Sequence, residues 1–239
     1  MARLVRILLG FTCVWFLTGL SIQKDECTIL LHGLARTSKS MEHIERALER
    51  EGYRVANVAY PSTTRAIEVL AELAIDRGLK QCKGSSKVNF VTHSMGGILV
   101  RQYLSHGDID NLNRVVMLGP PNQGSEIVDL VGEVTQLDWV NNWVSMPAGR
   151  QLGTGKHSLP KKLGRVDFDL GVIAGNKTTN PLLSKFLPDP DDGKVSVEST
   201  RVEGMSDHIV LPVPHSLMMR SRRVMNQVLH YLNHGEFFR

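Results

Sequence analysis

The sequence predicts an α/β chain with a mostly parallel sheet and helices on both faces. Three observations carry that expectation. Short apolar runs alternate along the chain with amphipathic stretches of helical period. Several runs break at turn residues, as at His32-Gly33, Tyr60-Pro61 and Gly119-Pro120-Pro121. The length of 239 residues suits one such domain.

Taken in order, Thr28 to Leu31 is a strand that leaves the sheet at His32-Gly33-Leu34. Ser38 or Ser40 is placed to cap a helix with Met41, Ile44 and Leu48 on one face, ending at Gly52. Tyr53 to Val58 is a second strand. Thr63 or Thr64 opens a helix that buries Ile67, Leu70, Leu73 and Ala74 and stops near Gly78 or Lys80. Val88 to Val91 and Val115 to Leu118 are further strands, separated by a helix from Met95 to about Leu104. From about 126 to 165 the pattern loosens into a lid-like insertion, where a packing helix with buried tryptophans competes with a lid. Alternation returns from Val166 to Ala174. A turn-rich loop then leads to Asp192-Gly193, a last strand from His208 to Val213, His215, and a helix burying Val224, Val228 and Leu232. Strand–helix alternation of this kind gives parallel units, and ligands bind beyond the carboxyl ends of their strands. His32-Gly33, Ser94 and Pro120-Pro121 all fall at that edge.

Composition excludes several classes. The hydrophobic fraction of 42% and charged fraction of 22% are ordinary for a globular chain. The net charge is +4, from 28 basic and 24 acidic residues. It falls to +2 (26 against 24) once Arg3 and Arg6 are set aside, and the charges are scattered, so no nucleic-acid footprint is present. Residues 1–21 read as a signal peptide: Arg3 and Arg6 precede an apolar stretch from Ile7 to Leu20 that is short for a membrane span. The Gly19-Leu20-Ser21 cleavage site is poor, so an uncleaved anchor associating with the membrane competes with it. Either way residues 22–239, read as one domain, belong outside the cytoplasm, in the periplasm or beyond. Cys27 and Cys82 then form an even pair in an oxidising compartment, each just before a buried strand, and a disulfide between them is expected.

The chemistry centres on Lys87 to Val100. A strand that becomes a helix within two residues leaves little room at the corner, and Ser94 stands there with Gly96 and Gly97 behind it. Thr92 occupies the place of the usual strand-side glycine. A serine hydroxyl needs a base that is itself oriented by a carboxylate. His215 follows the last strand and is favoured as the base over His208, which begins that strand. His93, adjacent to Ser94, is expected to be a packed residue pointing away from the cleft. Asp192 is favoured as the acid, with Asp189, Asp191 and Asp207 as alternatives. The oxyanion donors are the N–H groups of Met95 and Leu34, and His32 braces the loop that carries Leu34.

The motifs L-L-H-G-L (Leu30 to Leu34), T-H-S-M-G-G (Thr92 to Gly97), G-P-P-N-Q-G-S (Gly119 to Ser125), D-D-G-K-V-S-V-E-S (Asp191 to Ser199) and P-H-S (Pro214 to Ser216) resemble secreted bacterial lipases and esterases of the α/β-hydrolase superfamily. The resemblance covers nearly the whole chain after Cys27. It implies an α/β-hydrolase fold of about six strands, with the first strand here matching the third of the full fold. It also implies Ser94, Asp192 and His215 as nucleophile, acid and base, and Leu34 and Met95 as the oxyanion hole. On this reading the protein cleaves a small-molecule or lipid ester without a cofactor or metal. An acyltransferase on the same scaffold, or a non-catalytic exported binding protein, is the alternative. Trp139, Trp143 and Met146 could line an apolar acyl pocket, and a core role explains them equally well.

Overall fold

The computed structural model describes residues 24–130 and 145–239. The expected signal segment, Trp139 and Trp143 lie outside the described residues. Six strands form one sheet: β1 (Glu26–Leu31), β2 (Arg54–Val58), β3 (Lys87–His93), β4 (Leu112–Leu118), β5 (Leu170–Gly175) and β6 (Asp207–Leu211). Their order is β2-β1-β3-β4-β5-β6, and each neighbouring pair is parallel.

The pleat sorts the apolar runs into two cores. Ile29, Leu31, Phe90, Val115, Met117 and Val172 join α2 (Ile67–Gln81) and α3 (Met95–Leu104) on one face. Leu30, Val91, Val116, Leu118 and Ile173 join α1 (Glu42–Arg50) and the C-terminal helix, Arg222–His234, on the other. Covering both faces explains why the strands read as continuous apolar runs.

Two expected helix starts differ from those observed. Ser38–Met41 forms a 3-10 turn leading into α1, and the Ser40 hydroxyl donates to the Thr37 carbonyl (2.8 Å) instead of capping. Helix α2 begins at Ile67, beyond Thr63 and Thr64. The Ile67 N–H is satisfied by the side-chain oxygen of Gln151 (2.7 Å), which is 84 residues away. A cap supplied by tertiary structure leaves no local signature. Two strand limits also move. Val166 donates its N–H to the Glu203 carbonyl (2.9 Å), and β5 begins only at Leu170. β6 stops at Leu211 because Pro212 has no N–H for the ladder.

Cys27 and Cys82 form a disulfide with a Cα–Cα distance of 5.5 Å, and both are buried. It joins β1 to the residue ending α2 and closes a loop of sequence separation 55 around α1, β2 and α2. Chain-entropy reasoning for a loop of that size gives about 4 kcal/mol, of which about 2–4 is usually realised. The double change Cys27→Ser and Cys82→Ser is expected to lower the free energy of unfolding in urea by that amount. An unchanged midpoint would mean that the bridge does not constrain the unfolded chain.

Candidate active site

β1, β3, β4, β5 and β6 all deliver their following loops to one edge of the sheet, and each loop contributes to a single cluster there. Ser94 sits between β3 and α3 with φ 54° and ψ −124°, a left-handed conformation costly for a residue with a Cβ. Its N–H donates to the Leu118 carbonyl of β4 (2.9 Å), which fixes the corner against the neighbouring strand. α3 can start so abruptly because Gly96 lies directly on β1. A Cβ there would stand 2.6 Å from the Leu31 carbonyl oxygen and 3.0 Å from that of His32. Thr92, in the usual glycine's place, is buried between Leu31 and Met117. Its hydroxyl has no partner among the described residues, so the strand accepts it as packing volume.

Asp192 and His215 form a buried pair. Nδ1–H of His215 donates to Asp192 Oδ2 at 2.7 Å. The other carboxylate oxygen accepts the N–H groups of Lys194 (3.0 Å) and Val195 (2.9 Å). The main chains are tied as well, since the His215 N–H donates to the Asp192 carbonyl (2.9 Å). Gly193, at φ 93°, makes the turn that points these amides back. Gly119, at φ 55°, lies beneath the pair: a Cβ there would come within 3.0 Å of both Asp192 Oδ2 and His215 Nδ1.

The alternative acids and base are occupied elsewhere. Asp191 accepts the Ser184 hydroxyl (2.8 Å) and the Gly193 N–H (2.6 Å), bracing the turn. Asp189 is exposed. Asp207 holds the Phe237 N–H (2.8 Å) and pairs with Arg239 at the start of β6. His208, also at that opposite edge, shares a hydrogen bond with the Thr200 hydroxyl (2.9 Å), and burial followed by the charge of Arg201 pulls its pKa down to about 4.

His93 is buried as expected, but it does not point away from this cluster. Its ring lies 4.7 Å from that of His215, and Nε2–H donates to the His215 carbonyl (3.1 Å). Burial, then the proximity of His215, holds its pKa well below the usual histidine range, so it remains a neutral donor. Parallel pairing of β3 with β4 places His93 beside Leu118, and the loop after β6 folds over that spot. Chain order gives no hint of this contact.

Across from the pair, the loop after β1 is held rigidly. The His32 ring stacks on Tyr60 (3.9 Å, 7°), its Nδ1–H donates to the Gly33 carbonyl (2.9 Å), and the Tyr60 hydroxyl donates to the His32 carbonyl. Burial lowers the His32 pKa, which keeps the ring neutral. Gly33 faces Ser94 closely enough that a Cβ would lie 3.1 Å from the Ser94 Cβ. The N–H groups of Leu34 and Met95 donate to no other group among the described residues.

A cavity of about 310 Å³ opens beside the pair, lined by Thr179, Asn180, Asp192, Lys194, His215 and Ser216. Met146 instead packs, half-buried, against the core shared with α2 and α3. Among the described residues no His, Cys, Asp or Glu cluster is placed to hold a metal ion, and no helix is long and apolar enough to cross a membrane.

The sheet order, the elbow and the loops at the carboxyl edge define the α/β-hydrolase fold, and solved structures of that fold superpose on the chain. The mature form of the Bacillus licheniformis lipase BlEst2 matches with a TM-score of 0.65 and 19% identity, over 86% of this chain and 90% of that one. The Pyrococcus furiosus esterase PF2001 matches at 0.63 and 18%, over 88% and 82%. The Legionella pneumophila phospholipase PlaB matches at 0.66 and 17%, over 86% of this chain and 56% of its own. No family model matches the sequence, and neither does any curated protein. The likeness is one of fold.

Proposed function

We propose that the protein is an exported serine hydrolase that cleaves carboxylic esters, lipid esters among them, through an acyl-enzyme. Ser94 Oγ attacks the ester carbonyl while His215 Nε2 takes its proton. Asp192 holds the imidazole in the tautomer that leaves Nε2 free to accept. The developing oxyanion is met by the N–H groups of Leu34 and Met95, the latter at the positive end of α3. His215 then protonates the leaving alkoxide, and water, activated by the same base, releases the acid. The observation that carries this reading is the buried 2.7 Å bond between His215 and Asp192, at the edge where Ser94 is held in its left-handed conformation.

The substrate class draws on the neighbours, which are described as lipases, an esterase and a phospholipase. It draws also on apolar residues exposed in the segments bordering the cavity: Leu182 (69%), Phe186 (49%) and Leu217 (45%). The disulfide supports export. Residues 22–239 act as one domain, with 126–165 as the lid-like part.

The test is covalent labelling with a fluorophosphonate beside turnover of p-nitrophenyl esters of increasing chain length. Peptide mapping is expected to place the adduct on Ser94, and Ser94→Ala is expected to lose label and turnover together. A folded protein that takes no label, or takes it at another residue, would overturn the assignment.

A further inference from the structure

One buried side chain at the site takes no part in the chemistry just described. His93 ends β3, immediately precedes Ser94 and is 1% exposed. Its Nε2–H donates to the His215 carbonyl (3.1 Å), and the two rings lie 4.7 Å apart. On its other side the ring rests against the loop after β1, where a Cβ on Gly33 would stand 3.0 Å from His93 Nδ1. Nδ1 has no hydrogen-bond partner among the described residues. The neutral ring carries its one proton on Nε2, which faces a carbonyl oxygen, so Nδ1 keeps a buried lone pair without a donor. An imidazole with half of its bonding capacity unused is a poor packing group, since an aliphatic side chain would fill the space without stranding an acceptor. What the imidazole adds is the bond to His215.

We infer that His93 is a positioning residue, a strut that sets the distance between the nucleophile and its base. This rests on the reading of Ser94 and His215 as those two groups and adds a member to their support. One end of the strut is the residue covalently joined to Ser94, and the other grips the main chain of His215. The need for it lies in how the base is carried. β6 has ended at Leu211, and His215 follows Pro212-Val213-Pro214, where neither proline has an N–H to give to a ladder. Asp192 holds the His215 imidazole and the His215 N–H, but neither bond refers to the elbow. His93 supplies that reference. It pairs in register with Leu118, whose carbonyl also accepts the Ser94 N–H (2.9 Å), so nucleophile and base are located against the same strands. A misplacement of about 1 Å between reacting groups can cost about 10² in rate. Burial, then the nearness of His215, keeps His93 uncharged, and it therefore sets no charge against the imidazolium that forms on His215.

The experiment compares His93→Leu, of similar volume but without a donor, with His93→Gln, whose amide nitrogen can stand near the place of Nε2. For each, kcat and KM on a p-nitrophenyl ester are measured per competent site, counted by complete fluorophosphonate labelling, together with the rate of that labelling. In His93→Leu, kcat per site and the labelling rate should both fall by about tenfold or more, with KM within about twofold. His93→Gln should bring kcat back to within about threefold of the unaltered protein. A purely structural role would lower the number of competent sites and the unfolding midpoint while leaving kcat per site unchanged, and that result would overturn the inference. So would a loss confined to KM, or a glutamine variant no better than the leucine one. If His93→Leu gives no folded protein, His93→Asn takes its place, because its amide falls one methylene short of the His215 carbonyl. Equal kcat per site in the asparagine and glutamine variants would then overturn the inference. Absence of any adduct on Ser94 in the unaltered protein would overturn the hydrolase reading and this one with it.

Discussion

Ser94→Ala is expected to reduce kcat/KM on a short-chain ester by about 10⁶ without changing the unfolding midpoint, because every later step of the proposed mechanism depends on Ser94 as nucleophile. The elbow itself should survive, since Ser94 holds its place through a main-chain bond to Leu118 and alanine keeps the same Cβ. Asp192→Asn is expected to cost about 10⁴, less than loss of the nucleophile. An amide can present its NH₂ to His215 Nδ1 and so stabilise the wrong tautomer, with Nε2 protonated and unable to take a proton. The check is turnover and fluorophosphonate reaction rate measured on the same preparations, with circular dichroism for the fold. Residual turnover in Ser94→Ala above about one part in 10⁴ would place the nucleophile elsewhere, and an Asp192→Asn variant with unchanged turnover would remove Asp192 as the acid.

Gly96→Val should be as damaging, through a different route. The added Cβ would meet the carbonyl oxygens of Leu31 and His32 at 2.6 and 3.0 Å, and these are backbone atoms of β1 that cannot rotate aside. The two further methyl groups of valine enlarge the clash. Either α3 tilts off the sheet or β1 is displaced, and β1 pairs with both β2 and β3. A cost of at least about 4 kcal/mol follows, enough to leave little soluble folded protein. Gly96→Ala should give a milder defect, recoverable at low temperature, with activity falling further than stability because Leu34 moves with β1. Urea titration of both variants checks this, and a valine variant of normal stability would show that α3 does not lie as close to β1 as described.

Much of the fold was readable because parallel strands covered on both faces leave contiguous apolar runs, and all six runs became strands. The Met95–Leu104 helix likewise follows from a serine that must be succeeded at once by glycines and aliphatic residues. What could not be read is information held between distant segments. Ile67 is capped by Gln151, so the nearby threonines misled. The alternation starting at Val166 imitates a strand, yet that residue pairs with Glu203 outside the sheet. At the site, the reading of chain order chose Asp192 and His215 from several carboxylates and histidines, and the pair lies in contact. It misplaced His93, whose ring meets His215 only because the β6 loop returns over β3.

The double attachment of Asp192 to His215 has a dynamic consequence. Side chain to side chain and main chain to main chain, the two residues form a staple across the segment between β5 and the C-terminal helix. Breaking either bond alone leaves the other holding the register, so partial opening gains little chain entropy. That segment should therefore open as one cooperative unit or remain shut. Thermal fluctuations at the site then appear as brief, complete losses of competence rather than as a population of slightly misaligned bases.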